Sequence, residues 1–182
     1  YGVKEDLKTA VDWYFTAAEQ GEPGAQCGLG RCYRWAENFK ESIKWYFAAA
    51  EQGNPDAQAA LGYYFFEGLG VEPDLKEAVK WYYAAAEQGH AEAQYNLGIV
   101  FKELKRYEEA EQAYKNVQRE DSLEQYVRAQ NNLGNLLSDL KRFDEAERVY
   151  KNVSREDSLE QYARAQFNLG VLLKQQQRFE EA

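Results

Sequence analysis

The side chains that most often do chemistry are few in this chain and poorly arranged for it. Among 182 residues there is one histidine, His90, and two cysteines, Cys27 and Cys32. His90 stands in the stretch QGHAEAQ without a cysteine or carboxylate at ligand spacing, so it reads as a surface turn residue and not as a metal ligand. Five helical residues subtend roughly 140°. Cys27 and Cys32 would therefore face different sides of a helix, which favours neither a disulfide nor a shared metal. They read as small packing residues. The glycines of EGLGVEP lack the Lys-Ser/Thr of a phosphate loop, and no serine has glycine on both sides at the nucleophile spacing. Glu108-Glu109 and Glu180-Glu181 stand where helices would begin, and the positive helix end accounts for them. No catalytic residue, metal site or cofactor is expected, and the chain is read as not an enzyme.

One polar residue type does recur. Asn96, Asn132 and Asn168 follow one another at a constant spacing of 36. Asparagine is a mediocre helix former, but its amide offers donor and acceptor together. Such a ladder serves either to hold a peptide backbone or to tie one helix to the next.

The elements that must position it are repeats. Leu-Gly pairs fall at Leu29-Gly30, Leu61-Gly62, Leu97-Gly98, Leu133-Gly134 and Leu169-Gly170. Four residues before each leucine is an alanine (Ala25, Ala57, Ala93, Ala129, Ala165), each followed by glutamine. An aromatic at Phe39, Tyr107, Phe143 and Phe179, or Leu75 after a four-residue insertion, opens a second segment. Ala129, Leu133 and Leu137 share one helical face. Phe143, Ala146, Tyr150 and Val153 share another. Each unit is thus predicted to be two antiparallel helices, A and B, and neither pair can bury its apolar face alone, so the units must stack. Gly21, Gly53 and Gly89 are predicted to end B helices, and Pro23 and Pro55 to open A helices. Asp121-Ser122 and Asp157-Ser158 are placed to cap A helices lengthened by about a turn. Mid-helix Gly134 and Gly170 imply close approach by the paired B helix, because glycine otherwise costs roughly 1 kcal/mol there.

Composition narrows the class. The formal net charge is −9, which disfavours a general nucleic-acid partner. No apolar run approaches the ~20 residues of a membrane span, so no membrane insertion is expected. A cytoplasmic setting is the expectation. The chain contains no methionine and reads as a piece of a longer array.

The blocks WYFTAAEQG, WYFAAAEQG and WYYAAAEQG, the AQxxLG motif and the loop GLGVEPDLKEAVKWY resemble Sel-one-like repeats. The later stretches NNLGNLLSDLKRFDEAERVY and FNLGVLLKQQQRFEEA resemble tetratricopeptide repeats. The resemblance divides the chain into residues 1–109 of the first type and 110–182 of the second, in one continuous solenoid. It implies an all-α fold, a right-handed alpha-alpha superhelix whose A helices line a concave groove. Some bacterial Sel-one-like proteins carry a disulfide in every repeat, and this chain departs from them. By the same resemblance, the groove would present Tyr63, Phe66, Tyr95, Asn96, Arg128, Asn131, Asn132, Asn135, Arg164, Phe167 and Asn168. Arg31, Arg34, Lys102 and Lys174 would add a basic strip facing Asp56, Glu92, Glu103 and Asp139.

The function that follows is protein–protein interaction: a scaffold that binds a peptide or protein segment in the groove. The alternatives are an architectural spacer or self-assembling array, and a regulatory domain of a longer enzyme. Residues 1–14 align with 69–82, so the chain is expected to begin in an inter-helix loop. RFEEA is expected to begin a further B helix. Val11, Trp13 and Tyr14 at one end and Leu169, Leu172 and Leu173 at the other would expose apolar surface, so head-to-tail self-stacking is expected.

Overall fold

In the computed structural model the structure describes residues 2–180, with side chains over residues 8–176. Among them it contains ten α-helices and no strand. They divide into two compact units, residues 1–93 and 94–182.

The first unit holds α1 (Gly2–Glu19), α2 (Pro23–Trp35), α3 (Phe39–Glu51), α4 (Pro55–Glu67) and α5 (Leu75–Ala86). Consecutive helices pack against each other, and α2 also touches α4. Ala18, Ala25 and Leu29 form one apolar cluster, covered by Val11, Ala17, Tyr33 and Trp45. Cys27, Ile43, Tyr46, Ala57, Leu61 and Tyr64 form a second. Burying one leucine such as Leu29 or Leu61, both at 0% exposure, contributes about 1.5–3 kcal/mol. Both cysteines are buried and free.

The predicted punctuation is present. Gly21, Gly53 and Gly89 have φ of +90°, +86° and +80°, where a β-carbon is disfavoured. Pro23 and Pro55 open α2 and α4. Glutamines bind the pairs together. Gln26 Nε2 donates to the Ala18 carbonyl at 3.2 Å and its Oε1 accepts from Gln52 at 2.7 Å. Gln58 repeats this with Ala50 at 3.2 Å and Gln88 at 2.8 Å. Gln26 and Gln58, each following the repeat alanine, thus bridge the B helix before them and the B helix after them.

α6 (Ala91–Glu103) begins in the first unit and runs into the second, followed by α7 (Tyr107–Asn116), α8 (Leu123–Asp139), α9 (Phe143–Lys151) and α10 (Leu159–Glu180). α8 has 17 residues against 13 in α2, α4 and α6, the predicted extra turn. Ser122 and Ser158 cap α8 and α10, accepting from Gln125 N and Gln161 N at 3.3 Å. Asp157 serves differently: its nearly buried carboxylate pairs with Arg119.

Two elements differ from the sequence expectation. α1 is helical from Gly2, where a loop was expected, because Glu5 stands where Pro73 breaks the equivalent stretch and leaves helix permitted. α10 runs unbroken to Glu180 and has no turn before Phe179. Gln175-Gln176-Gln177 are good helix formers and replace Asp139-Leu140-Lys141, where the chain turns with Lys141 at φ +61°. The side chains of Phe179 and Glu180 lie outside the described residues, as do Glu181 and Ala182. The apolar surface expected on the outer helices is present in part: Trp13 is 80% and Leu173 43% exposed, whereas Leu172 is buried.

Candidate functional site

Four mid-helix glycines of the Leu-Gly pairs, Gly30, Gly62, Gly98 and Gly134, each receive a tyrosine ring from the following B helix. A β-carbon placed on Gly30, Gly62 or Gly98 would stand 2.7, 2.6 and 2.5 Å from Tyr46, Tyr82 and Tyr114. One on Gly134 would collide with Tyr150. These four tyrosines are each 1% exposed. The rings are fixed by packing.

The repeats differ in the two residues before each leucine. In the first two repeats they are small, Cys27-Gly28 and Ala59-Ala60; in the next three they are Tyr95-Asn96, Asn131-Asn132 and Phe167-Asn168. Where they are small, the first unit has a recess of about 350 Å³ lined by Cys27, Arg31, Arg34, Trp35, Tyr46, Asp56, Ala59, Ala60, Tyr63, His90 and Glu92. Trp35 is 76% exposed and Tyr63 38%, and the Arg34 guanidinium lies 5.9 Å from the Tyr63 ring centroid. Phe66 is half-buried.

Neither Arg31 nor Arg34 has a carboxylate at ion-pair distance among the described residues. Asp56 is instead contacted by His90 Nε2 at 3.3 Å. His90 Nδ1 accepts from Ala93 N at 3.2 Å, so the imidazole caps α6 as Glu22 caps α2 and Asn54 caps α4. His90 is thus a turn residue, as expected, with a positional role that its matching place in each repeat signals. Burial pushes the Cys27 thiol above its usual range, and Arg31 opposes this weakly. Burial likewise raises the Tyr46 phenol, with Tyr64 and Cys27 adding to it and Arg34 and Arg31 opposing.

In the second unit the polar ladder is internally paired. Asn132 Nδ2 donates to the Tyr95 hydroxyl at 3.3 Å. Asn135 Oδ1 accepts from the Tyr150 hydroxyl at 2.6 Å and from Asn168 Nδ2 at 2.9 Å. Of the two readings of the asparagines, tying helix to helix is the one these bonds show. Asn131, expected on the groove face, is 1% exposed and donates to Gln161 O and Oε1, both at 3.0 Å. The correction has a plain cause: the lengthened α10 brings the Gln161 turn over it. Tyr95 and Asn96 are half-buried. The basic strip is largely neutralised here, since Lys102 pairs with Asp139 at 3.2 Å and half-buried Arg128 with Glu124 at 2.8 Å. Arg164 is exposed beside Phe167, itself 71% exposed. Among the described residues no group of three or more histidines, cysteines and carboxylates could hold a metal. No helix among them is long and apolar enough to cross a membrane.

Family models place this arrangement. The Sel1 repeat model matches residues 1–22, 23–54 and 55–90, and tetratricopeptide repeat models match 91–122 and 131–182. The chain is a Sel1 and tetratricopeptide repeat protein. It is similar to a Sel1 repeat protein from Oxalobacter formigenes, at 31% identity and TM-score 0.69, over 87% of this chain and 65% of that one. It is also similar to a protective antigen of uropathogenic Escherichia coli strains displaying an SLR fold, at 28% identity and TM-score 0.75, over 91% of this chain and 36% of that one. The chain therefore spans less than two thirds of the length of these two relatives. BtubC (BKLC) of P. vanneervenii shares the fold, with TM-score 0.70 at 19% identity, over 98% of this chain and 84% of that one. A search of curated proteins finds no match. Sel1 and tetratricopeptide repeats generally build protein-interaction scaffolds and are typically non-enzymatic.

Proposed function

We propose that this chain binds a segment of another protein along the exposed faces of its A helices. The observation that carries the reading is the recess of the first unit: on a chain of net charge −9 it gathers exposed aromatics and two arginines without counter-ions. Solvent-facing Trp, Tyr and Arg around a concavity are what interfaces use as anchors. The exposed Phe167 of α10 supplies a comparable anchor in the second unit. In the second unit the internally paired asparagines tie the helices to one another, which lowers the entropy lost on binding there.

The test is affinity capture with wild type, a Trp35→Ala/Tyr63→Ala variant and a Phe167→Ala variant. All three side chains are exposed, so melting temperatures should stay within about 1–2 °C. The expected result is at least one partner retained by wild type and lost from a variant. Equal recovery of every partner by all three proteins would overturn the reading.

A further inference from the structure

Each A helix begins on a side chain that accepts from its first turn, and the five side chains differ in their acid–base chemistry. Glu22 accepts from Gly24 N at 3.0 Å and from Ala25 N, and Asn54 accepts from Ala57 N at 2.9 Å. Ser122 and Ser158 accept from Gln125 N and Gln161 N at 3.3 Å. His90 accepts from Ala93 N at 3.2 Å through Nδ1. Amide and hydroxyl oxygens keep their acceptor lone pairs in mild acid, and a carboxylate takes up a proton only well below neutrality. An imidazole changes charge between about pH 5 and 8. The one histidine of the chain therefore stands at one of the five caps.

Both ring nitrogens are committed. Nδ1 accepts only when it carries no proton, so the ring proton is on Nε2. Nε2 lies 3.3 Å from Oδ1 of Asp56, which is in the first turn of α4. The neutral ring thus joins the starts of two A helices, and Ala93, to which it is fastened, is fully buried. A second proton goes to Nδ1, where it meets the Ala93 N–H head on. The cap is then lost, and the ring becomes a cation at the positive end of a helix. The charges around it come from each neighbouring helix. Asp56 of α4, Glu92 of α6, and Arg31 and Arg34 of α2 line the same recess as His90. Glu87, exposed, ends α5. The carboxylates favour the cation and the arginines oppose it. The Nε2 contact with Asp56 survives protonation, whereas the Nδ1 contact with Ala93 does not.

We propose that His90 is a pH-sensitive cap: neutral, it fastens the first turn of α6, and protonated, it releases that turn while keeping its contact with Asp56. Mild acid then loosens one A-helix start and leaves the other four fastened, because their caps are glutamate, asparagine and serine. The device belongs to the free chain and stands apart from the binding reading above.

The test follows the whole chain, labelled with nitrogen-15, by NMR between about pH 7.5 and 5.5. The Ala93 amide signal should move in step with the His90 ring protons. Its protection from hydrogen exchange should fall about 5-fold, the equivalent of one lost cap. The Ala57 amide, capped by Asn54, should keep its protection and serves as the internal control. In His90→Asn the Ala93 amide should show no step across the range. An Ala93 amide that keeps its protection while the ring protonates would overturn the proposal. So would a ring that stays neutral down to about pH 5.5, an equal loss at Ala57, or the same step in His90→Asn.

Discussion

A β-carbon at Gly134 would run into the Tyr150 ring, whereas one at Gly170 meets nothing within 4 Å. The two glycines occupy the same repeat position, so they separate helix propensity from packing. Gly170→Ala should stabilise by up to about 1 kcal/mol, the intrinsic gain of alanine over glycine. Gly134→Ala should destabilise despite that gain, and Gly134→Leu should cost over ~1 kcal/mol through overpacking. Urea denaturation of the three variants measures this, and equal effects at the two positions would contradict the close approach. The sequence shows this device clearly, since small residues at fixed phase opposite large ones are visible without coordinates. It shows the asparagine ladder only partly. Asn96, Asn132 and Asn168 stand at regular phase whether they serve a ligand or tie helices together, and only the distances decide. Asn131 was illegible because its burial depends on where the Gln161 turn of another helix falls.

At the scale of the helices, the capping residues can be read by position more than by type. Glu22, Asn54 and His90 stand one place before the A helices and each accepts from the first turn. His90→Ala should therefore cost about 1 kcal/mol of cap energy. His90→Asn should retain most of it, since Asn54 accepts from Ala57 N at 2.9 Å in the same place. Thermal melts of both variants check the order, and a His90→Ala protein as stable as wild type would remove the cap assignment. The turns between A and B helices were harder to foresee. They use Glu37, Lys105 and Lys141 at φ of +56°, +58° and +61°, a conformation that side chains with a β-carbon rarely adopt. Tertiary packing of the paired helices overrides local preference at these points. The lost loop of α1 and the unbroken α10 show local preference winning instead: no proline interrupts residues 2–7, and three glutamines favour continuation.

At the scale of the chain, the buried phenols predict how stability depends on pH. Burial raises Tyr46, Tyr64, Tyr114 and Tyr150 above the ordinary phenol value of 10, with Tyr150 pushed up to about 12, where Asp139 adds to the effect. In the unfolded chain these groups ionise near pH 10. The folded chain holds their protons longer, so stability is fully present below about pH 10 and falls as pH rises towards 12 and beyond. Circular dichroism and absorbance at the phenolate band should therefore change together in alkali. Ionisation of all fourteen tyrosines near pH 10 with the helices intact would contradict the burial. The two-unit division, residues 1–93 and 94–182, was not visible in the sequence, whose period continues across it.

The two kinds of contact between helices differ in reach, and this bears on how such a chain lengthens. The glycine–tyrosine contact lies within one repeat, Gly30 with Tyr46 and Gly62 with Tyr82. The glutamine relay joins neighbours, because Gln26 and Gln58 each reach the B helix of the preceding repeat. There the acceptor is a backbone carbonyl, of Ala18 or Ala50, which any residue supplies. A gene segment duplicated from one EQG turn to the next would therefore carry its own glycine and tyrosine. At its seam the glutamine would need only a main-chain oxygen from its neighbour. Copies could then diverge at the two positions before the leucine, and pockets like that of the first unit would open or fill one repeat at a time, without any change to the joints between them.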